Sequence, residues 1–342
     1  MKWRSVLWLG LDRFLNTPAR RWAARIGFWA LFLLVVFPYF LSRVITEPPG
    51  LPISQDSPAN YHLNYESFTV PSFDGVPIAG WWIPSEEFKI QDSHQASPAR
   101  RAKFKNIGKP VILFAHGLGT SKSDYAVNAD FAHQRGYSCC LIDLRNHGES
   151  GKKYITLGAD ESRDLRAVMR WLREKKGVKG FILWGVSLGA ASSLLAAADE
   201  PDVDGVILEA CYESMRGTVD RHRRLYFSWV PKCPFVPLTL GWFRLRTGVD
   251  PDEVDLVRAA SRLKRGRMFL VVGEKDLRAP ASAGELLVKS SGIPAEMWVM
   301  PGIDHDSLGG HPEYESKIEA FLKSLELLQE RSKAATGVPT KK

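Results

Sequence analysis

The chain has 342 residues, 45% of them hydrophobic and 25% charged, a balance that supports a sizeable core and one large α/β domain with insertions. Its formal net charge of +8 is concentrated in residues 1–25 and in the tail from Arg331 to Lys342, which leaves the body between them close to neutral. A nucleic-acid-binding domain spreads its basic residues over a folded face, so a nucleic-acid partner is not expected.

In chain order, the first 25 residues form a basic stretch expected to remain in the cytoplasm. From Ile26 to Leu41 the run "IGFWALFLLVVFPYFL" carries no charge and extends to Ile45 past Arg43. A spanning helix needs about 20 apolar residues, so 26–45 is expected to form a transmembrane signal-anchor with Trp22, Trp29 and Tyr39 at the interfaces. The rival reading is a cleaved signal peptide, against which stand the length of the run and the lack of a small-x-small site in "YFLSRVITEPPG". Positive charge lies before the segment, so the main domain is expected on the extracytoplasmic side.

Residues 46–62 read as a proline-rich linker. Two β-rich runs around Asp74-Gly75 then predict a hairpin, and residues 86–108 read as a loose surface loop. From Pro110 onward, apolar strands are predicted at 111–115, 137–142, 181–184, 205–208, 268–272 and 296–300. Helical patterns fill 123–135, 158–176, 187–199, 281–291 and 313–329. Strands this apolar need cover on both faces, which predicts a mostly parallel sheet of about eight strands flanked by helices. The stretch 211–260 is too long for a plain crossover and predicts an inserted helical cap. Residues 331–342 read as a basic disordered tail.

The four cysteines, Cys139, Cys140, Cys211 and Cys233, show no metal-type CxxC spacing. Free thiols are expected, with a Cys211–Cys233 bridge open in an oxidising compartment.

The most informative stretch is "FILWGVSLGAASS" at 181–193. A strand that turns sharply into a helix lifts the turn residue above the sheet edge, and its neighbours two positions away must lack side chains. Gly185 and Gly189 give that clearance around Ser187, leaving a hydroxyl at a helix amino terminus with the Leu188 N–H aimed at any oxyanion formed there. A serine hydroxyl needs a base to take its proton, and the base needs an acid to fix its tautomer. His305, after the last predicted strand, is the candidate base. Asp276 is the candidate acid, with Glu209 and Glu274 as substitutes. His116 and His147 sit in glycine-flanked loops before Ser187 and read as structural; the other five histidines lack a post-strand position.

Beside "GVSLG" stand "FAHGLGTS" at 114–121, "DLRNHGES" at 143–150, "VVGEKDLRAP" at 271–280 and "PGIDHDSL" at 301–308. In order and spacing these motifs make the chain resemble the α/β-hydrolase family over about residues 65–330. The resemblance implies a hydrolase domain at 63–330 with its cap at about 211–260. It further implies Ser187 as nucleophile, Asp276 as acid, His305 as base, and the Leu118 and Leu188 N–H groups as the oxyanion hole. No metal or organic cofactor is called for by such chemistry.

The cap mixes Arg216, Arg221, Arg223, Arg224, Arg244 and Arg246 with Tyr226, Phe227, Trp229, Trp242 and Phe243. This pattern fits either an ordinary lid with aromatics packed beneath it or a rim suited to anionic headgroups. The expected function is therefore a membrane-anchored serine hydrolase of carboxylic esters or thioesters, with acyl-lipid or lysophospholipid-like substrates. A serine peptidase of prolyl-oligopeptidase type and a non-catalytic binding protein on the same fold are the alternatives.

Overall fold

The computed structural model describes residues 17–48, 54–86, 88 and 109–335, with side chains to residue 328. Most of the predicted 86–108 loop and residues 336–342 therefore lie outside the described residues.

The first element is a 29-residue helix, α1 (Pro18–Thr46), among the described residues the one helix long and apolar enough to cross a membrane. It begins eight residues earlier than the uncharged run, because Thr17 caps it by accepting from the Arg20 N–H and Pro18 occupies the first turn, where a missing N–H costs nothing. Pro38 has no N–H to give to Leu34 four residues back, and the helix widens into a π turn over Phe32–Val36 just before it.

A single eight-stranded sheet follows, in the order β1 (Glu66–Pro71), β2 (Pro77–Ile83), β4 (Cys139–Ile142), β3 (Val111–Ala115), β5 (Phe181–Val186), β6 (Val203–Glu209), β7 (Arg267–Gly273) and β8 (Ala295–Met300). The hairpin β1–β2 runs antiparallel to its neighbour β4, and every later pairing is parallel. The strand predicted from 137 begins at Cys139; Tyr137 ahead of it is buried in the core and donates its hydroxyl to Glu326 Oε1 at 2.7 Å.

Both sheet faces are covered. In β5, Phe181 and Leu183 enter one core with α3 (Ala159–Lys176), α4 (Leu188–Asp199) and α7 (Leu256–Arg262), whereas Ile182 and Trp184 enter the other with α2 (Ala126–Gln134) and α9 (Tyr314–Ala335). Helix α8 (Ala281–Ser290) links β7 to β8. The last helix continues to Ala335, through residues that the sequence assigned to a disordered tail.

Between β6 and β7 lie α5 (Met215–Tyr226) and α6 (Lys232–Thr247). The carboxyl-terminal third of α1 packs on α6, where Arg246 donates to Thr46 Oγ1 at 2.7 Å and to Glu47 Oε1 at 2.8 Å. The cap arginines are largely committed to carboxylates: Arg216 to Asp252, Arg221 to Glu213, Arg223 to Asp220 and Arg244 to Asp250. Two of these pairs lie at the surface, with the Arg216 and Arg244 side chains 55% and 65% exposed. All four cysteines are free, with Cys211 buried and Cys233 exposed.

Candidate active site

The junction of β5 and α4 explains the two glycines. A Cβ on Gly185 would strike the Gly189 backbone, and one on Gly189 would strike the Ala115 carbonyl in the adjacent strand. Ser187 between them has φ 52° and ψ −108°, a strained conformation that persists only where the surroundings enforce it. Its own N–H is tied to the Glu209 carbonyl at 2.8 Å, and its carbonyl receives the Ala191 N–H at 3.0 Å. The hydroxyl is thereby held off the strand, ahead of a 12-residue helix whose first N–H groups lack intrahelical acceptors.

The loops after β7 and β8 bring the other candidates to it. His305 Nε2 lies 3.2 Å from Ser187 Oγ, and His305 Nδ1 lies 2.7 Å from Asp276 Oδ2. Asp276 is almost fully buried, and its second oxygen accepts the N–H groups of Arg278 at 2.8 Å and Ala279 at 2.7 Å. A carboxylate held this way cannot swing, so it fixes the imidazole with Nδ1 as donor and Nε2 as acceptor facing the serine. The line of contacts can move a proton from Ser187 Oγ to His305 Nε2.

The substitutes for Asp276 are engaged elsewhere. The Glu209 carboxylate is buried on the other side of the sheet edge, accepting from Trp184 Nε1 at 2.7 Å and from the Tyr314 hydroxyl. Glu274 accepts the Gly302 N–H.

Burial raises the Glu209 carboxyl from its ordinary 4.5 to about 7, the bonds from Tyr314 and Trp184 opposing that rise. The folded chain then holds this proton more tightly than the unfolded chain does. Its contribution to stability is complete below pH 4.5 and is lost as pH rises through about 7. Glu209→Gln keeps an acceptor and removes the titration. Relative to this variant, wild-type stability should decline between pH 5 and pH 8, by up to about 3 kcal/mol at about 1.4 kcal/mol per pKa unit. Parallel pH dependences in thermal unfolding would show that Glu209 is ionised throughout.

Leu188 opens α4, and Leu118 lies in the loop after β3, whose conformation is braced by the "DLRNHGES" segment. His116 Nε2 accepts the Leu144 N–H at 3.0 Å, and His147 Nε2 accepts the Gly119 N–H at 3.0 Å, one residue beyond Leu118. Both rings donate from Nδ1 to backbone carbonyls, of Gly117 and Arg145 respectively. Burial holds both imidazoles below the ordinary histidine range, which keeps them neutral and able to accept. Buried Lys122 closes the loop on Asp143 at 2.5 Å and Glu149 at 2.7 Å. Neighbouring glycines hinted that the two histidines serve the loops; the specific acceptor roles needed coordinates.

The cap helix α5 approaches this constellation. Arg221 Nη1 donates to the Arg278 carbonyl at 3.2 Å, which ties α5 to the loop that carries Asp276. The next residue, His222, is held by the Thr218 carbonyl and driven below the ordinary imidazole range chiefly by burial, with Arg278 and His305 adding to the effect.

A family model for the alpha/beta hydrolase fold matches residues 110–232. The chain is similar to the uncharacterised protein YqkD of Bacillus subtilis, at 25% identity over 63% of this chain and 72% of that one. It is also similar to the lysophosphatidylserine lipase ABHD12 of Xenopus tropicalis, at 27% identity over 55% of this chain. That match spans about half, 47%, of the lipase's own length. The Pyrococcus furiosus esterase Pf2001 shares the fold with a TM-score of 0.62 at 21% identity, over 82% of this chain and 98% of that one. The chain has the α/β-hydrolase fold.

Proposed function

We propose that this protein is a membrane-anchored serine hydrolase that cleaves carboxylic ester or thioester bonds in acyl-lipid or lysophospholipid-like substrates. The observation that carries the reading is the unbroken line Ser187 Oγ, His305 Nε2, His305 Nδ1, Asp276 Oδ2 at a strained strand-to-helix turn. Lipid-like substrates are favoured by the relative named as a lysophosphatidylserine lipase and by an apolar 29-residue helix packed directly on the cap.

Ser187 Oγ attacks the acyl carbonyl carbon while His305 Nε2 takes its proton. The N–H groups of Leu118 and Leu188 hold the resulting oxyanion, each donor worth about 3 kcal/mol. The intermediate collapses as the imidazolium protonates the leaving alcohol or thiol. The acyl group stays on Ser187 until a water, deprotonated by the same imidazole, attacks it, releases the carboxylic acid and restores the serine. The three side chains and two backbone amides supply every proton transfer and every charge these steps need.

In the proposed topology the arginine-rich amino terminus stays in the cytoplasm, α1 spans the membrane and the hydrolase domain lies on the extracytoplasmic side. A substrate panel tests the reading. Purified protein in detergent should turn over p-nitrophenyl esters and a lysophospholipid, with kcat/KM rising with acyl length. Turnover of a peptide amide but not of these esters would favour the peptidase, and turnover of neither would favour a binding protein.

A further inference from the structure

The docking of α1 on the cap has a consequence for where the cap sits. Between Arg25 and Arg43, the 17 residues from Ile26 to Ser42 carry no charge. At 1.5 Å per residue they reach about 26 Å, slightly less than a bilayer's hydrocarbon thickness of about 30 Å. A span this short leaves no residue to spare, so its outer boundary falls at Arg43 and not further in.

Phe37 lies six residues inside that boundary, about 9 Å below it along the helix. Yet Phe37 is the residue the cap touches: its ring lies 5.7 Å from Phe227, 6.2 Å from Trp229 and 6.1 Å from Phe235. Two residues on, Tyr39 meets Trp242 of α6 at 5.3 Å. Whatever side chains contact Phe37 must share its depth.

The tip joining α5 to α6 has the composition for such a place. From Leu225 to Leu240 its one charged side chain is Lys232. Trp229 and Tyr226 are 70% and 62% exposed although both are large and amphipathic. Apolar aromatic surface left open in this way marks an interaction site. Arg224 and Lys232, both largely exposed and only loosely paired with Asp220 at 3.7 and 3.8 Å, flank the tip with stems long enough to reach headgroup phosphates.

We propose that the α5–α6 tip, centred on Tyr226, Phe227 and Trp229, is inserted beside α1 into the acyl-chain region of the leaflet on the hydrolase side. This rests on the anchor reading above and deepens it. One end of α5 is then in lipid, and its other face holds the Asp276 loop through Arg221. Substrate enters along α5 from the leaflet, which selects esters whose acyl chain resides in the bilayer.

Full-length protein carrying Cys233→Ser, which removes the one exposed thiol, is labelled at single introduced cysteines with an environment-sensitive nitrobenzoxadiazole dye. The sites are Trp229→Cys, Tyr226→Cys, Leu34→Cys at the middle of the uncharged run in α1, and Arg265→Cys just before β7, at the amino-terminal ends of the strands. The proteins are reconstituted into phosphatidylcholine–phosphatidylglycerol vesicles containing phosphatidylcholine with a mid-chain nitroxide. We expect strong loss of fluorescence at 34, 226 and 229 and none at 265. Loss at 34 with none at 226 or 229 overturns the inserted tip while leaving the anchor standing. No loss at 34 removes the anchor and the inserted tip together.

Discussion

Replacing Ser187 with alanine is expected to lower kcat on an ester substrate by about 10⁴- to 10⁶-fold with little change in KM or in thermal unfolding. The size follows from what the hydroxyl does. It supplies the attacking atom, standing 3.2 Å from His305 Nε2 at the amino terminus of α4. What survives is the contribution of the oxyanion donors and of binding alone. The fold should tolerate the change, because the turn is held by backbone bonds from Ser187 N–H to Glu209 and from Ala191 N–H to Ser187, and alanine keeps both. The strain at φ 52° is the same for either residue. A variant retaining a tenth or more of wild-type turnover would remove Ser187 from the chemistry.

Asp276→Asn should cost about 10⁴-fold in kcat through a different route. In the wild type, Oδ1 accepts two backbone N–H groups and Oδ2 accepts the His305 Nδ1 proton. An asparagine must keep its carbonyl oxygen toward the N–H groups of Arg278 and Ala279, which turns its amide N–H₂ toward His305. Nδ1 then becomes the acceptor and Nε2 carries the proton, so the ring faces Ser187 with a donor where a base is needed. Geometry stays nearly intact while the tautomer is wrong. The loss should shrink at high pH only if hydroxide replaces the imidazole as base. Glu209→Gln serves as comparison, since its carboxylate meets Trp184 and Tyr314 and not His305. An equal fall in kcat for both variants would mean that Asp276 is no more coupled to His305 than Glu209 is.

The sheet and the Ser187 turn were legible because each rests on a local rule. Two-sided burial makes β3, β5, β6 and β7 continuous apolar runs, and the collision of Gly189 with the Ala115 strand dictates a side-chain-free position four residues from Gly185. His305 and Asp276 were legible through their position just beyond strand ends. Partners supplied by distant segments were not. Arg246 reads like its neighbour Arg244 in sequence, but it alone meets Thr46 and Glu47, some 200 residues away. The pairing of the remaining cap arginines was hidden because Asp252, Glu213 and Asp220 carry no signal of where their carboxylates point. The early start of α1 was in the text, in the Thr17-Pro18 pair, but the apolar run drew the boundary to Ile26. Seating the cap against Phe37 depends on packing between two helices whose sequences show no common period.

The most direct test of the account is to find which atom an activated phosphonate modifies. Wild-type protein treated with a fluorophosphonate, digested and mapped by tandem mass spectrometry, should carry a single stoichiometric adduct on the peptide containing Ser187. Labelling should disappear in Ser187→Ala and slow sharply in His305→Ala. An adduct on any other residue, or labelling of Ser187→Ala at the wild-type rate, would contradict it.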